Sequence, residues 1–293
     1  MPSLDILIPT KGRPEQLAIT LTSISSQDFS AISGAVNLYI LDNGEFSAFY
    51  KNEFARLLDL LALRGIKTFY LKRSNCRGIF WIRQELYQVS SGDVVLYLDD
   101  DVVLTPGFIQ NLWFGVVNLG INLTTGFIVD VDGLSQESVT NAGHAIRATI
   151  ERTVNTLKSG RAVVIGSDWM ELLSATGATL MFKRSDFNRV GAWEKLAPAF
   201  ENNYTSWAED LGLCVALKSL GSAFVSVRDL AFHFTVKKRS FAGFHLSEAY
   251  SEFLVKNYGI AFPSDIGINH PEVSPDVLPV IATLKSHFKH FGI

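Results

Sequence analysis

Residues 94–108 read VVLYLDDDVVLTPGF. A short apolar, β-branched run has the composition of a buried strand. It ends on three successive aspartates, Asp99, Asp100 and Asp101, followed by a second apolar run and the Pro106-Gly107 turn signal. Like charges this close repel one another. In an extended chain, side chains i and i+2 share a side. Asp99 and Asp101 are therefore expected to project together and Asp100 to the other side, unless the chain has already turned. Two carboxylates on one side make a hard, oxygen-rich site. Such a site suits Mg2+ or Mn2+, which binds through one or two carboxylates plus a substrate's phosphates. The alternative is a solvated turn ahead of Pro106 that needs no cation.

The elements upstream say what kind of sheet this strand joins. LDILIPT (4–10), VNLYILD (36–42) and IKTFYLK (66–72) are further strands, the second running into a turn at Asn43-Gly44. Between them lie helical patterns. Pro14 suits a first helical turn, followed by Leu17, Leu21 and Ile24 at helical spacing. EFARLLDLLALRG (53–65) closes on Gly65, and GIFWIRQELYQVSSG (78–92) carries Ile79, Ile82, Leu86 and Val89 on one stripe. Strands alternating with helices imply a parallel sheet with right-handed crossovers. Ligands bind such sheets at the carboxyl ends of the strands, where Asp42 and the triplet both fall.

The second half is less regular. Residues 122–133 and 174–187 are expected to supply strands, as is SAFVSVRDLAFHF (222–234). WAEDLGLCVALKSLG (207–221) is expected to form a helix with Ala208, Leu211 and Val215 on its apolar stripe and Gly221 at its end. Pro263, Pro271, Pro275 and Pro279 suggest an extended wrap leading into a final helix, 277–293.

Composition bounds the function classes. The 293 residues are 47% hydrophobic and 19% charged, enough to bury a sizeable core. A formal charge of −3 gives no electrostatic case for a nucleic-acid partner. The two cysteines, Cys76 and Cys214, match no ligand spacing and read as reduced thiols of a cytoplasmic protein. The first residues show no basic stretch before an apolar one, so no signal peptide is expected. No apolar run approaches the roughly 20 residues of a membrane helix.

Six segments in order now carry a resemblance: ILIPTKGRPEQL (6–17), YILDNGE (39–45), residues 75–108, GATLMFKRSDFNRVGAWEK (177–195), WAEDLGLCVALKSLG and AFHF (231–234). Together, over residues 4–260, the chain resembles the inverting glycosyltransferases of family 2. The resemblance implies a GT-A α/β fold: a Rossmann-like, mostly parallel central sheet flanked by helices, with a smaller mixed acceptor-side portion. It sets one domain over 1–262, with a nucleotide-binding half (1–104) and an acceptor-side half (105–262), and leaves 263–293 as a C-terminal appendage. The implied activity is metal-dependent transfer, with inversion, of a sugar from a UDP-, GDP- or dTDP-linked donor to an acceptor hydroxyl. That acceptor is a glycan, a lipid-linked molecule or a small molecule.

The resemblance also implies roles, position by position. Pro9 and Thr10 line the base and ribose pocket, and Asp42 hydrogen-bonds the base. Asn75 and Gly78 form a pocket wall, although bulky Phe80 and Trp81 depart from the small residues usual there. Arg83 lies near the nucleotide. Within the triplet an early aspartate, Asp99 or Asp100, touches the ribose, and Asp101 holds Mn2+ or Mg2+, with Asp99 and His233 as further ligands. Glu209 and Asp210 supply the general base, Asp210 first and Glu209 as fallback.

Each role has a plainer counterpart. Asp42 can cap the Asn43-Gly44 turn. Arg83 can lie on a helix surface. Glu209 and Asp210 can be acids favoured by the helix dipole, and His233 a core histidine. Lys237, Lys238 and Arg239 can either neutralise a diphosphate or form a solvated loop, and Trp207 can stack on a sugar ring.

Two other functions compete. A sugar nucleotidyltransferase would open with a glycine-rich basic loop after its first strand, whereas residues 8–16 hold one glycine. A non-catalytic sugar-nucleotide-binding module would not need both Asp101 and Asp210. The alternation of apolar residues with Lys285, His287, Lys289 and His290 also allows peripheral membrane contact, against a docked helix with a basic outer face.

Overall fold

A computed structural model describes residues 1–44, 52–73, 78–132, 164–165, 169–171, 178–201, 209–221, 223–235 and 248–258. Asn75, Cys76, Trp207, residues 237–239 and the expected C-terminal wrap and helix lie outside the described residues.

The first half is built as its periodicity predicts. Strands β1 (Leu4–Thr10), β2 (Val36–Asp42), β3 (Ile66–Lys72) and β4 (Val94–Leu98) run parallel in the order β3-β2-β1-β4. Helices α1 (Pro14–Ser25), α2 (Asn52–Leu63) and α3 (Ile79–Val89) make the crossovers. Gly65 ends α2 at φ 78°, a left-handed conformation costly for any side chain. Strand order reverses between β1 and β4, so the switch point of the sheet lies between the ends of those strands.

Alternation along β1 divides the core. Ile6 and Ile8 pack in one cluster with Leu17, Leu21 and Ile24 of α1. Leu7 packs in another with Phe80 and Leu86 of α3 and with Trp193 and Leu213. Truncating a wholly buried leucine such as Leu96 or Leu213 to alanine would cost ~2–5 kcal/mol.

Beyond β4 the sheet becomes mixed. Strand β9 (Thr179–Lys183) pairs antiparallel with β4, and β6 (Leu123–Asp132) follows it. β10 (Ala223–Thr235) lies parallel to β6. Two short strands, β7 (Val164–Ile165) and β8 (Trp169–Glu171), complete that edge. A three-residue strand, β5 (Val102–Leu104), pairs antiparallel with the far half of β10 and sets Val102 opposite His233.

A register shift between Ser226 and Leu230 lets one strand serve both partners. Asp229 fixes the shift, accepting hydrogen bonds from Asn111 Nδ2 (2.7 Å) and from the Ser226 hydroxyl. Gly126 of β6 leaves room for it, since a Cβ there would stand 2.1 Å from the Phe108 ring and 2.9 Å from the Asp229 carbonyl oxygen. The bend carries His233 to the aspartate triplet.

Helix α4 (Phe108–Val117) packs on β6, β9 and β10. Helices α5 (Arg184–Val190), α6 (Ala192–Glu201), α7 (Glu209–Lys218) and α8 (Glu248–Tyr258) follow.

Three expectations need correction. β4 stops at Leu98, and Asp100 and Asp101 already form a turn, so strand alternation does not set the directions of the triplet. Helix α3 buries Phe80, Ile82, Arg83, Leu86 and Tyr87, whereas Val89 is 42% exposed. Aromatic packing pulls the helix round: the Phe80 ring lies 4.0 Å from Phe200 and 5.1 Å from Trp193, centroid to centroid. Arg83 is therefore not a surface arginine. Finally, α7 is buried continuously from Gly212 to Leu217, because α5, α6 and α8 all pack against it.

Candidate active site

The register puts Thr10 beside Asp42 at the ends of β1 and β2, and the triplet follows the end of β4. Thr10 Oγ1 donates to Asp100 Oδ2 at 2.6 Å, tying β1 to the turn after β4 across the switch point. Burial pushes the Asp100 carboxyl up to about 7, with Arg13 and Thr10 pulling the other way.

Asp101 is buried as well, but both its oxygens are engaged. Arg13 Nη1 donates to Oδ2 at 2.5 Å, and His233 Nε2 lies 3.1 Å from Oδ1. Burial alone would raise the Asp101 carboxyl. His233 and Arg13 more than reverse that and hold it below the usual range. Arg13 Nη2 also lies 3.4 Å from Asp100 Oδ1.

Asp99, Asp101 and His233 each offer a ligand atom, and these atoms lie within 4.8 Å of one another. Neighbouring ligands of an octahedral cation at about 2.1 Å stand about 3 Å apart, close to the 3.1 Å between His233 and Asp101. Two carboxylates and an imidazole suit Mn2+, and the carboxylates alone suit Mg2+. These residues fit a divalent cation.

Arg83 joins this turn to α7. It is 2% exposed; Nη2 donates to Asp99 Oδ1 at 2.8 Å, and Nη1 lies 3.1 Å from Glu209 Oε1. Its guanidinium carbon stands 5.6 Å from the centroid of the Tyr97 ring, and the Tyr97 hydroxyl donates to the Arg83 carbonyl at 2.8 Å. Burial pushes the Glu209 carboxyl up, against Arg83 and with the adjacent Asp210. The partner of Glu209 is Arg83, from α3. Asp210 is only half-buried, and its Oδ1 accepts the Leu211 N–H at 2.8 Å.

Asp42 is fully buried. Oδ1 accepts the Gly44 N–H at 2.8 Å, the bond its turn-capping reading requires. Oδ2 accepts the Tyr70 hydroxyl at 2.5 Å and lies 3.5 Å from Lys72 Nζ. Pro9 is buried within β1, next to Thr10. Gly78 is the exposed N-cap of α3. The fold thus brings together Thr10, Asp99, Asp100, Asp101, Arg83, Glu209 and His233, with Asp42 on the adjacent strand.

Arg13 was missed in the sequence. The signal was present: a basic residue just past the end of β1, where three carboxylates need cations. Tyr70 and Lys72, at the end of β3, escaped because strand periodicity accounted for them.

A mixed sheet with its site at the switch point and an acidic turn beside it is the frame of a GT-A glycosyltransferase. Residues 5–154 match the family model described as glycosyl transferase family 2, and the chain belongs to that family. No curated protein matches the chain in sequence.

Among solved structures, GalNAc-T7 with UDP, GalNAc and Mn2+ is similar at a TM-score of 0.58 and 12% identity, over 87% of this chain and 48% of that one. The chain thus spans about half the length of the GalNAc-T7 chain. The mannosyltransferase PcManGT from Pyrobaculum calidifontis, in complex with GDP-Man and Mn2+, matches at 0.49 and 12% identity over 99% and 70% of the two chains. S. aureus TarS matches at 0.49 and 11% identity over 80% and 37%. Among the described residues no helix is long and apolar enough to cross a membrane.

Proposed function

We propose that this chain transfers a sugar, with inversion, from a nucleotide diphosphate sugar to an acceptor hydroxyl, aided by Mn2+ or Mg2+. The observation that carries the reading is the convergence of Asp99, Asp101 and His233 within 4.8 Å at the sheet's switch point. Arg83 joins that group to the acidic start of α7. The UDP and Mn2+ of the GalNAc-T7 structure support it, since the two proteins share a fold.

In this reading Asp99, Asp101 and His233 hold the cation, which offsets the charge of the departing diphosphate. Asp42 accepts a hydrogen bond from the base, with Pro9 and Thr10 beside it and Gly78 at the pocket wall. Asp210 takes the proton of the acceptor hydroxyl as it attacks the anomeric carbon, a contribution of about 10²–10⁴-fold. Glu209 faces inward to Arg83, and Asp210, half-buried beside it at the start of α7, is the carboxylate given that task.

The test is a thermal-shift and donor-hydrolysis panel of UDP-, GDP- and dTDP-sugars, with Mn2+ and with EDTA. One donor class is expected to raise the midpoint and be hydrolysed only with metal. A flat panel defeats the proposal.

A further inference from the structure

Arg13 stands at the N-cap of α1, with its side chain 41% exposed, and reaches two residues of the triplet. Its contact with Asp101 Oδ2 is 2.5 Å, while Oδ1 of the same carboxylate faces His233. The two contacts differ in kind. An imidazole nitrogen carries a lone pair and can turn from hydrogen-bond partner into metal ligand. A guanidinium is donor-only and stays charged. A divalent cation held by Asp101 and His233 would therefore meet a fixed positive charge on the other oxygen of the same carboxylate.

We propose that Arg13 is a resident counter-cation of this turn. It competes with the divalent cation for Asp101 and exchanges that carboxylate for the donor's diphosphate when cation and donor bind together. The guanidinium is partly exposed and touches Asp101, one of the carboxylates that would hold the cation, so phosphates sharing that cation would come within its reach. Arg13 thereby offsets the repulsion within the triplet and makes metal binding depend on the phosphates. The inference rests on the proposed donor and cation site and names a residue that the sequence reading left out.

The experiment uses the full chain and two probes, Mn2+ alone, followed by the paramagnetic resonance of unbound ion, and inorganic pyrophosphate in excess Mn2+, followed by calorimetry. Arg13→Ala is expected to bind Mn2+ alone at least about tenfold more tightly, since it removes a like charge a few ångströms away. The same variant is expected to bind pyrophosphate at least about tenfold more weakly, since a charge-assisted pair is lost. A merely structural arginine would not move the two affinities in opposite directions. Arg13→Lys, which keeps the charge, is expected to hold Mn2+ affinity within about threefold of the parent.

Unchanged or weaker Mn2+ binding in Arg13→Ala overturns the proposal. So does unchanged pyrophosphate binding, or a lysine variant that frees the site as fully as alanine. Neither probe contains a nucleoside or a sugar, so failure of the sugar-transfer reading is seen separately, in the donor panel.

Discussion

Arg83 Nη1 stands 3.1 Å from Glu209 Oε1, and both side chains are almost wholly removed from water. Breaking a buried ion pair from one side strands the other charge, at a cost of about 3–5 kcal/mol. Arg83→Met strands Glu209 and is expected to lower unfolding free energy in urea by about that much, whereas Glu209→Gln leaves Arg83 its Asp99 partner at 2.8 Å and is expected to cost less. The double variant should recover part of the loss, because neither charge is then left alone. Additive losses in the cycle would mean that the two side chains do not interact.

The proposed cation site gives a second expectation. Asp101→Asn keeps the shape of the side chain and removes its charge, and His233→Ala removes a nitrogen 3.1 Å from Asp101. Both are expected to abolish the Mn2+-dependent rise in thermal midpoint while far-UV dichroism stays unchanged. Full Mn2+ response in both variants would separate Asp101 and His233 from any metal.

Asp42 presents a choice between fold and ligand. Its carboxylate already meets Gly44 N–H and the Tyr70 hydroxyl, so Asp42→Ala leaves two donors short of an acceptor and is expected to cost about 1–3 kcal/mol of stability. If Asp42 also accepts from a nucleotide base, affinity falls by a further about 1–3 kcal/mol. Calorimetry of the folded variant with the preferred nucleotide decides. A stability loss with unchanged affinity leaves Asp42 as the cap of its turn.

These contacts show what the sequence could and could not disclose. β1, β2, β3 and β4 were legible because an apolar run bounded by turn residues is a local signal, and local order fixed the parallel topology through the crossover rule. The triplet was legible as chemistry but not as geometry. β4 ends one residue before it, and the directions of Asp100 and Asp101 are set by Thr10, Arg13 and His233, 88 to 132 positions away in sequence. Arg83 was legible as an arginine near the nucleotide or on the helix surface, but its burial was not, because the partners that hold it, Asp99 and Glu209, belong to other parts of the chain. β5 was invisible because a three-residue strand exists only through its pairing with β10.

The bend in β10 yields a fourth test. Gly126→Ala places a methyl group against Phe108 and the Asp229 carbonyl at distances no real Cβ tolerates. Overpacking of this kind costs about 1–3 kcal/mol. Because the bend delivers His233 to Asp101, the variant is also expected to weaken Mn2+ binding although it touches no ligand. A destabilised variant with parental Mn2+ affinity would show that His233 reaches the site independently of the bend.

The proposed catalytic base is where the two acids at the start of α7 part. Adjacent residues point about 100° apart around a helix, so Glu209 and Asp210 face different sides of α7. Glu209 turns inward to Arg83, whereas Asp210 stays half-exposed with one oxygen on the helix's own N–H. An inward, ion-paired carboxylate is poorly placed to accept a proton from a substrate that arrives from solvent. Asp210→Asn is therefore expected to keep donor and Mn2+ affinity and to lower turnover with the true acceptor at least about a hundredfold. Glu209→Gln is expected to lose stability first, with turnover of the folded fraction falling far less. Donor hydrolysis is only a substitute assay here, since water need not use the same base. If Glu209→Gln is folded and inactive while Asp210→Asn turns over normally, the roles are exchanged. If both are fully active with the true acceptor, the pair serves only to start the helix, and the proton leaves by another route.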